Sequence, residues 1–120
     1  MRILVSDLLY SGEPAALLRS LAAGAGCALV FAPVRAGEAR LEERGNVELV
    51  DSEGGAGRRQ RIDDELANRY QAAYARHFTL WAEASRRAGV GLARLDCAGT
   101  LTAALSREAY SRGVVASLVG

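Results

Sequence analysis

The chain has 120 residues, half of them apolar and 24% charged, which is the composition of one ordinary globular domain. Its formal net charge of +1 leaves no field to draw in nucleic acid or an anionic membrane surface. No apolar run is long enough to span a bilayer, and the stretch Met1 to Leu9 is too short and too polar for a signal peptide, so a cytoplasmic location is the expectation.

In chain order, Arg2 to Ser6 reads as a short buried strand that ends at Asp7. Ser11 to Pro14 is a turn and helix start, and Ala15 to Ala23 is a helix with Leu17, Leu18 and Leu21 on one side, stopped by Gly24 and Gly26. Cys27 to Ala32 is a second apolar strand closed by Pro33. A strand, helix and strand of these lengths form a βαβ unit and imply a parallel sheet. Arg35 to Arg44 fits either a short surface helix or a loop. Val47 to Val50 and Arg58 to Ile62 form a hairpin around the turn-forming stretch Asp51 to Gly57.

The longest element is Asp64 to Ala88. Asp63 is its cap, Asp64 and Glu65 lie in the first turn, Arg86 and Arg87 in the last, and Gly89 ends it. Leu66, Tyr70, Ala73, His77, Leu80 and Ala84 recur at three- and four-residue spacing and predict the face toward the sheet, widened by Tyr74, Phe78 and Trp81. Gly91 to Leu95 is a third parallel strand, and Thr100 to Glu108 a closing helix capped by Thr100. The apolar tail Val114 to Val119 adds a strand or packs on the body.

Few residues offer chemistry. Asp7 follows the first strand, and in open parallel sheets ligands bind beyond the carboxyl ends of strands. A hard cation such as Mg²⁺ accepts a carboxylate with water and hydroxyls, and Ser6 and Ser11 are near in sequence. The competing role for Asp7 is to cap the turn that follows it. His77 is the only histidine and falls on the apolar face of the long helix, which favours a core role over a catalytic one. Asp63, Asp64 and Glu65 are explained by helix-start electrostatics, and Tyr70, Tyr74, Phe78 and Trp81 by core packing. No phosphate-binding glycine loop or nucleophile elbow occurs. Cys27 and Cys97 lie in apolar, strand-like contexts and are expected to be reduced and partly buried, with a disulfide between them as the alternative. All 15 basic residues are arginine.

The run Ile3 to Leu9, a helix, the strand ending at Pro33, the acidic hairpin Glu48-Leu49-Val50-Asp51, Ile62-Asp63, and the Tyr70 to Arg87 helix together resemble a bacterial family. It is the one known as domain of unknown function fifty-eight, and the resemblance covers residues 2 to 108. That family is similar to the von Willebrand factor A domain. The resemblance implies an α/β, Rossmann-like, three-layer sheet. Here it would be partial, residues 1–120 forming the C-terminal half with a hairpin insertion at about 46–62. It also implies a metal-ion-dependent adhesion site, in which Asp7 matches the aspartate after the fourth strand. The Asp-x-Ser-x-Ser of that site is missing, and no segment before Ile3 supplies it. The site is therefore expected to be truncated. No cofactor is expected in this chain, and Mg²⁺ only if the missing half is supplied.

The function so implied is a non-catalytic protein-binding module, not an enzyme, working with a MoxR-type AAA+ ATPase. The missing strands would also leave a sheet edge open to a second copy of the chain. The alternative is a small Rossmann-like enzyme or phosphoacceptor domain using Asp7. Against it, Leu9 stands where an aspartate-nucleophile hydrolase wants a second acid, no acidic pair precedes Asp7, and there is no lysine.

Overall fold

The structure, a computed structural model, describes residues 1–51, 54–110 and 112–116. The chain is mixed α/β and divides into two compact units. One comprises Met1–Ala36 with His77–Gly120, and the other Gly37–Arg76. The second unit is wider than the insertion expected at 46–62. Part of the tail, 117–119, and residues 52–53 of the hairpin loop lie outside the described residues.

The first unit is built on a parallel sheet of β1 (Arg2–Val5), β2 (Ala28–Val34) and β5 (Gly91–Asp96), in the order β1-β2-β5. Arg2 to Val5 align with Ala28 to Phe31, and Leu29 to Val34 with Gly91 to Asp96. The middle strand, β2, is apolar on both faces, as a strand covered on both sides must be. Val30 and Ala32 are fully buried, as is Ala93 beside them in β5.

α1 (Pro14–Ala22) links β1 to β2, with Pro14 in its first turn and Leu18 fully buried. Glu13 occupies its cap position, without a side-chain hydrogen bond. The guanidinium of Arg2 donates to the carbonyls of Ser20 and Leu21, at the negative end of this helix.

The closing helix, α3 (Leu101–Ala104), widens into a π-helical turn over Leu105–Tyr110. As expected, Thr100 caps it, its Oγ1 accepting from the Ala103 N–H. Gly113, at φ +66°, ends it, and the N–H groups of Gly113 and Val114 return to the carbonyls of Tyr110 and Ala109. Val114 lies 3.0 Å from where a Cβ on Gly91 would sit, so the described start of the tail packs on the sheet.

The long helix, α2 (Asp64–Ala88), begins and ends where the sequence places it. Asp63 Oδ1 accepts from the Leu66 N–H at 2.8 Å. At the other end Gly89, at φ +67°, lets Val90 donate to Ser85 and Gly89 to Arg86, the paired closure typical of a glycine C-cap. The burial of Phe78 and Trp81, the latter complete, is as expected, but the centre of the buried face is shifted: Leu80 is 59% exposed and Ser85 is buried. The core positions therefore fall one residue later, about 100° around the axis. The indole has far more apolar area to remove from water than Leu80 does, so it sets the phase.

The structure also corrects the burial expected at both ends of the sheet. Ile3 is 50% and Val5 64% exposed, so β1 is not a buried strand. Cys27 and Cys97 are both free and exposed. Cys27 precedes β2 and Cys97 follows β5 at the opposite end of the sheet, roughly 26 Å away at the rise of a strand. No intrachain disulfide can span that distance.

In the second unit, β3 (Gly45–Val50) and β4 (Gly57–Ile62) form the antiparallel hairpin, in register from Gly45 with Ile62 to Val50 with Gly57. The stretch before it is a 3₁₀ turn at Ala36–Ala39 followed by loop. Tyr70 donates its hydroxyl to the Glu38 carbonyl at 2.7 Å. Arg44 pairs with Asp64 at 2.8 Å, but this pair is largely in solvent and contributes well under about 1 kcal/mol. Among the described residues of this unit only Ile62 and Ala67 are buried. One face of the hairpin and the first half of α2 line a groove of about 800 Å³ floored by Leu49, Ile62, Leu66, Tyr70 and Ala73.

Candidate functional site at the carboxyl edge of the sheet

β1 ends in a sharp turn built from three consecutive side chains. Ser6 Oγ accepts from the Leu8 N–H at 3.1 Å, and Asp7 Oδ1 accepts from the Leu9 N–H at 3.0 Å. Between them Leu8 takes φ +60°, a left-handed conformation that is costly for a branched side chain, and buries itself to 1% exposure. His77 Nε2 donates to the Leu8 carbonyl at 2.6 Å. A carbonyl can only accept, so Nε2 carries the proton. Three hydrogen bonds thus hold a strained residue in place, which is how such conformations persist.

This arrangement gives Asp7 the turn-capping role, with its side chain exposed at the carboxyl end of a parallel strand. Ser6 is committed to the same turn. His77 serves as a backbone-holding donor, and its ring meets Phe78 edge-on, with centroids 5.3 Å apart.

A second carboxylate occupies the equivalent place on β5. Asp96 Oδ1 accepts from the Ala98 N–H at 2.9 Å, and its Oδ2 from Arg107 at 2.9 Å. With β2 between them, Asp7 and Asp96 stand two strand spacings apart, about 10 Å. The structure does not bring them together. Asp63 and Asp64 are engaged at the start of α2 as cap and ion-pair partner, in the other unit. Among the described residues no three His, Cys, Asp or Glu side chains converge as a metal-holding group.

The residue that sequence reasoning missed is Glu108. Its carboxylate accepts from the backbone N–H of Arg94 at 3.0 Å and from the Arg94 guanidinium at 3.3 Å. That guanidinium lies 5.2 Å over the Phe78 ring. Glu108 thereby satisfies a donor on the outer edge of β5, where among the described residues no further strand pairs. No local sequence signal marks it, since its partner Arg94 lies fourteen residues away on a different element.

The two edges of the sheet differ as a result. The β5 edge is covered by the closing helix. On β1, the N–H groups of Arg2 and Ser6 bond β2, so by the alternation of a parallel ladder those of Ile3 and Val5 point outward. Among the described residues no strand pairs with them. Exposed apolar side chains surround this open edge in sequence: Met1, Ile3, Val5, Leu9 and Tyr10. No described helix is long and apolar enough to cross a membrane. Compared with protein-family models, with curated protein sequences and with solved structures, the chain finds no match.

Proposed function

We propose that the chain is a non-catalytic protein-interaction module of von Willebrand factor A-like type, and that the open edge of β1 is its docking element. The observation that carries this reading is the mismatch between the composition of β1 and its place. Ile3, Leu4 and Val5 are apolar on both faces, the pattern of a strand inside a sheet, yet β1 stands at an edge with Val5 64% exposed. An edge of this kind is a template for another strand, and natural proteins ordinarily blunt it. This one blunts β5 and leaves β1 open.

The strand order supports the half-domain reading too. Three parallel strands stepping outward in chain order are what one half of a doubly wound sheet contains, and its first strand would lie next to the other half. In this reading Asp7 stands at the junction. It would join a Mg²⁺ site only with ligands from the partner half, and a MoxR-type AAA+ ATPase is the partner class that the family resemblance implies.

The test is the mass of the chain in solution, by light scattering over a concentration series, against Val5→Lys. In the absence of its partner the chain is expected to self-associate through β1. The lysine should shift it to monomer while leaving thermal unfolding within about 0.5 kcal/mol, as for an exposed position. A chain that is monomeric at all concentrations, or an oligomer indifferent to the lysine, would count against the edge as a docking element.

A further inference from the structure

The groove of the second unit combines an apolar floor with an unusual charge distribution. Its volume, about 800 Å³, is that of a small-molecule site. Leu49 and Ile62 contribute from the hairpin, and Leu66, Tyr70 and Ala73 from α2. Three arginines join this lining: Arg58 from β4, and Arg69 and Arg76 from α2. Arg69 and Arg76 are seven residues apart, two helical turns, and so share one side of the helix about 10 Å apart. Among the described residues no aspartate or glutamate lines the groove, although Gly37–Arg76 holds nine acidic residues against seven arginines. Elsewhere arginines of this chain pair with carboxylates, Arg44 with Asp64 and Arg94 with Glu108. Among the described residues the guanidinium groups of Arg58, Arg69 and Arg76 make no hydrogen bond or ion pair.

Charge sorting of this kind selects a ligand. Forked guanidinium donors without counter-ions bind a carboxylate in two-point fashion. The apolar floor accepts a hydrocarbon tail, worth about 0.8 kcal/mol for each CH₂ removed from water. A neutral ligand would leave the arginines uncompensated, and a small hydrophilic anion would leave the floor wet. We infer that this groove is a binding site for a small amphipathic carboxylate, an acyl chain of medium length with its head held by Arg58, Arg69 or Arg76. The inference concerns the second unit alone and is independent of the docking role proposed for β1.

Decanoate, below its aggregation concentration, is the probe. Calorimetric titration into the full chain is expected to give one saturable site. Decanol and acetate should each bind at least tenfold more weakly, since each lacks one half of the recognition. Ala73 is exposed, so Ala73→Trp fills the groove from a position that the fold can spare. It should abolish binding while circular dichroism and thermal unfolding stay as in the parent. The pair Arg69→Gln and Arg76→Gln should weaken decanoate about tenfold and leave decanol unchanged. The inference is overturned if decanoate does not bind, in which case the arginine stems merely cover an apolar floor. It also fails if decanoate and decanol bind alike, or if binding survives Ala73→Trp.

Discussion

The two units of this chain spend their apolar residues in opposite ways. The sheet unit gathers Leu8, Leu18, Val30, Phe78, Trp81, Val90 and Ala93 into a core closed to water. The hairpin unit buries only Ile62 and Ala67 among its described residues and sets Leu41, Leu49, Leu66, Tyr70, Ala72 and Ala73 along an open groove. The first pattern stabilises a fold. The second keeps apolar surface available to something else. Long helix α2 contributes to both, with Leu66, Tyr70 and Ala73 on the groove and Phe78, Trp81 and Ser85 in the core.

The contrast can be broken at its strongest point. Trp81→Ala should cost about 3–5 kcal/mol, most of the stability of a chain this size, and denaturant unfolding would register it. A loss under about 1 kcal/mol would mean that the sheet unit has no more core than the hairpin unit.

Glu108→Ala tests the covered edge. It removes the partner of the Arg94 N–H and guanidinium, and should cost about 2 kcal/mol in the same assay. It should also open the β5 edge, so the mass measured by light scattering should rise beyond that of the parent chain. Unchanged mass would show that the closing helix covers this edge without the carboxylate.

The smallest effect has the opposite sign. Ser85 is 2% exposed, and neither its Oγ nor the Trp81 Nε1 has a hydrogen-bond partner among the described residues. Ser85→Ala removes a buried hydroxyl that makes no bond and should stabilise the chain by about 1 kcal/mol. Destabilisation instead would point to a buried water bridging the two atoms.

Much of the fold was legible because local signals fixed it. Asp63 and Gly89 mark the ends of α2, Thr100 marks the start of α3, and turn-forming residues separate β3 from β4. The buried face of α2 was legible at Phe78 and Trp81 but its centre was not. Leu80 and Trp81 are neighbours in sequence, both apolar, and only the volume available against the sheet decides between them. Nor was the outer edge of β5, because its satisfaction depends on Glu108, fourteen residues from Arg94 and on a different element. At the candidate site the carboxyl-end position of Asp7 could be read directly. Its engagement with the Leu9 N–H required the turn itself. The groove arginines carried no local motif, since Arg58 meets Arg69 and Arg76 only once the hairpin folds.

The turn at Leu8 has a consequence for how this sequence can drift. Backbone conformation at φ +60° asks for glycine or asparagine, while burial to 1% asks for a large apolar side chain. No natural residue meets both demands, so each change that relaxes the backbone empties the core, and each that keeps the core keeps the strain. Leu8 is therefore a position where evolution has little room, set between exposed neighbours, Asp7 and Leu9, that have a good deal. Among descendants of this sequence the buried leucine should outlast both of them, and it is the better marker of ancestry than the carboxylate beside it.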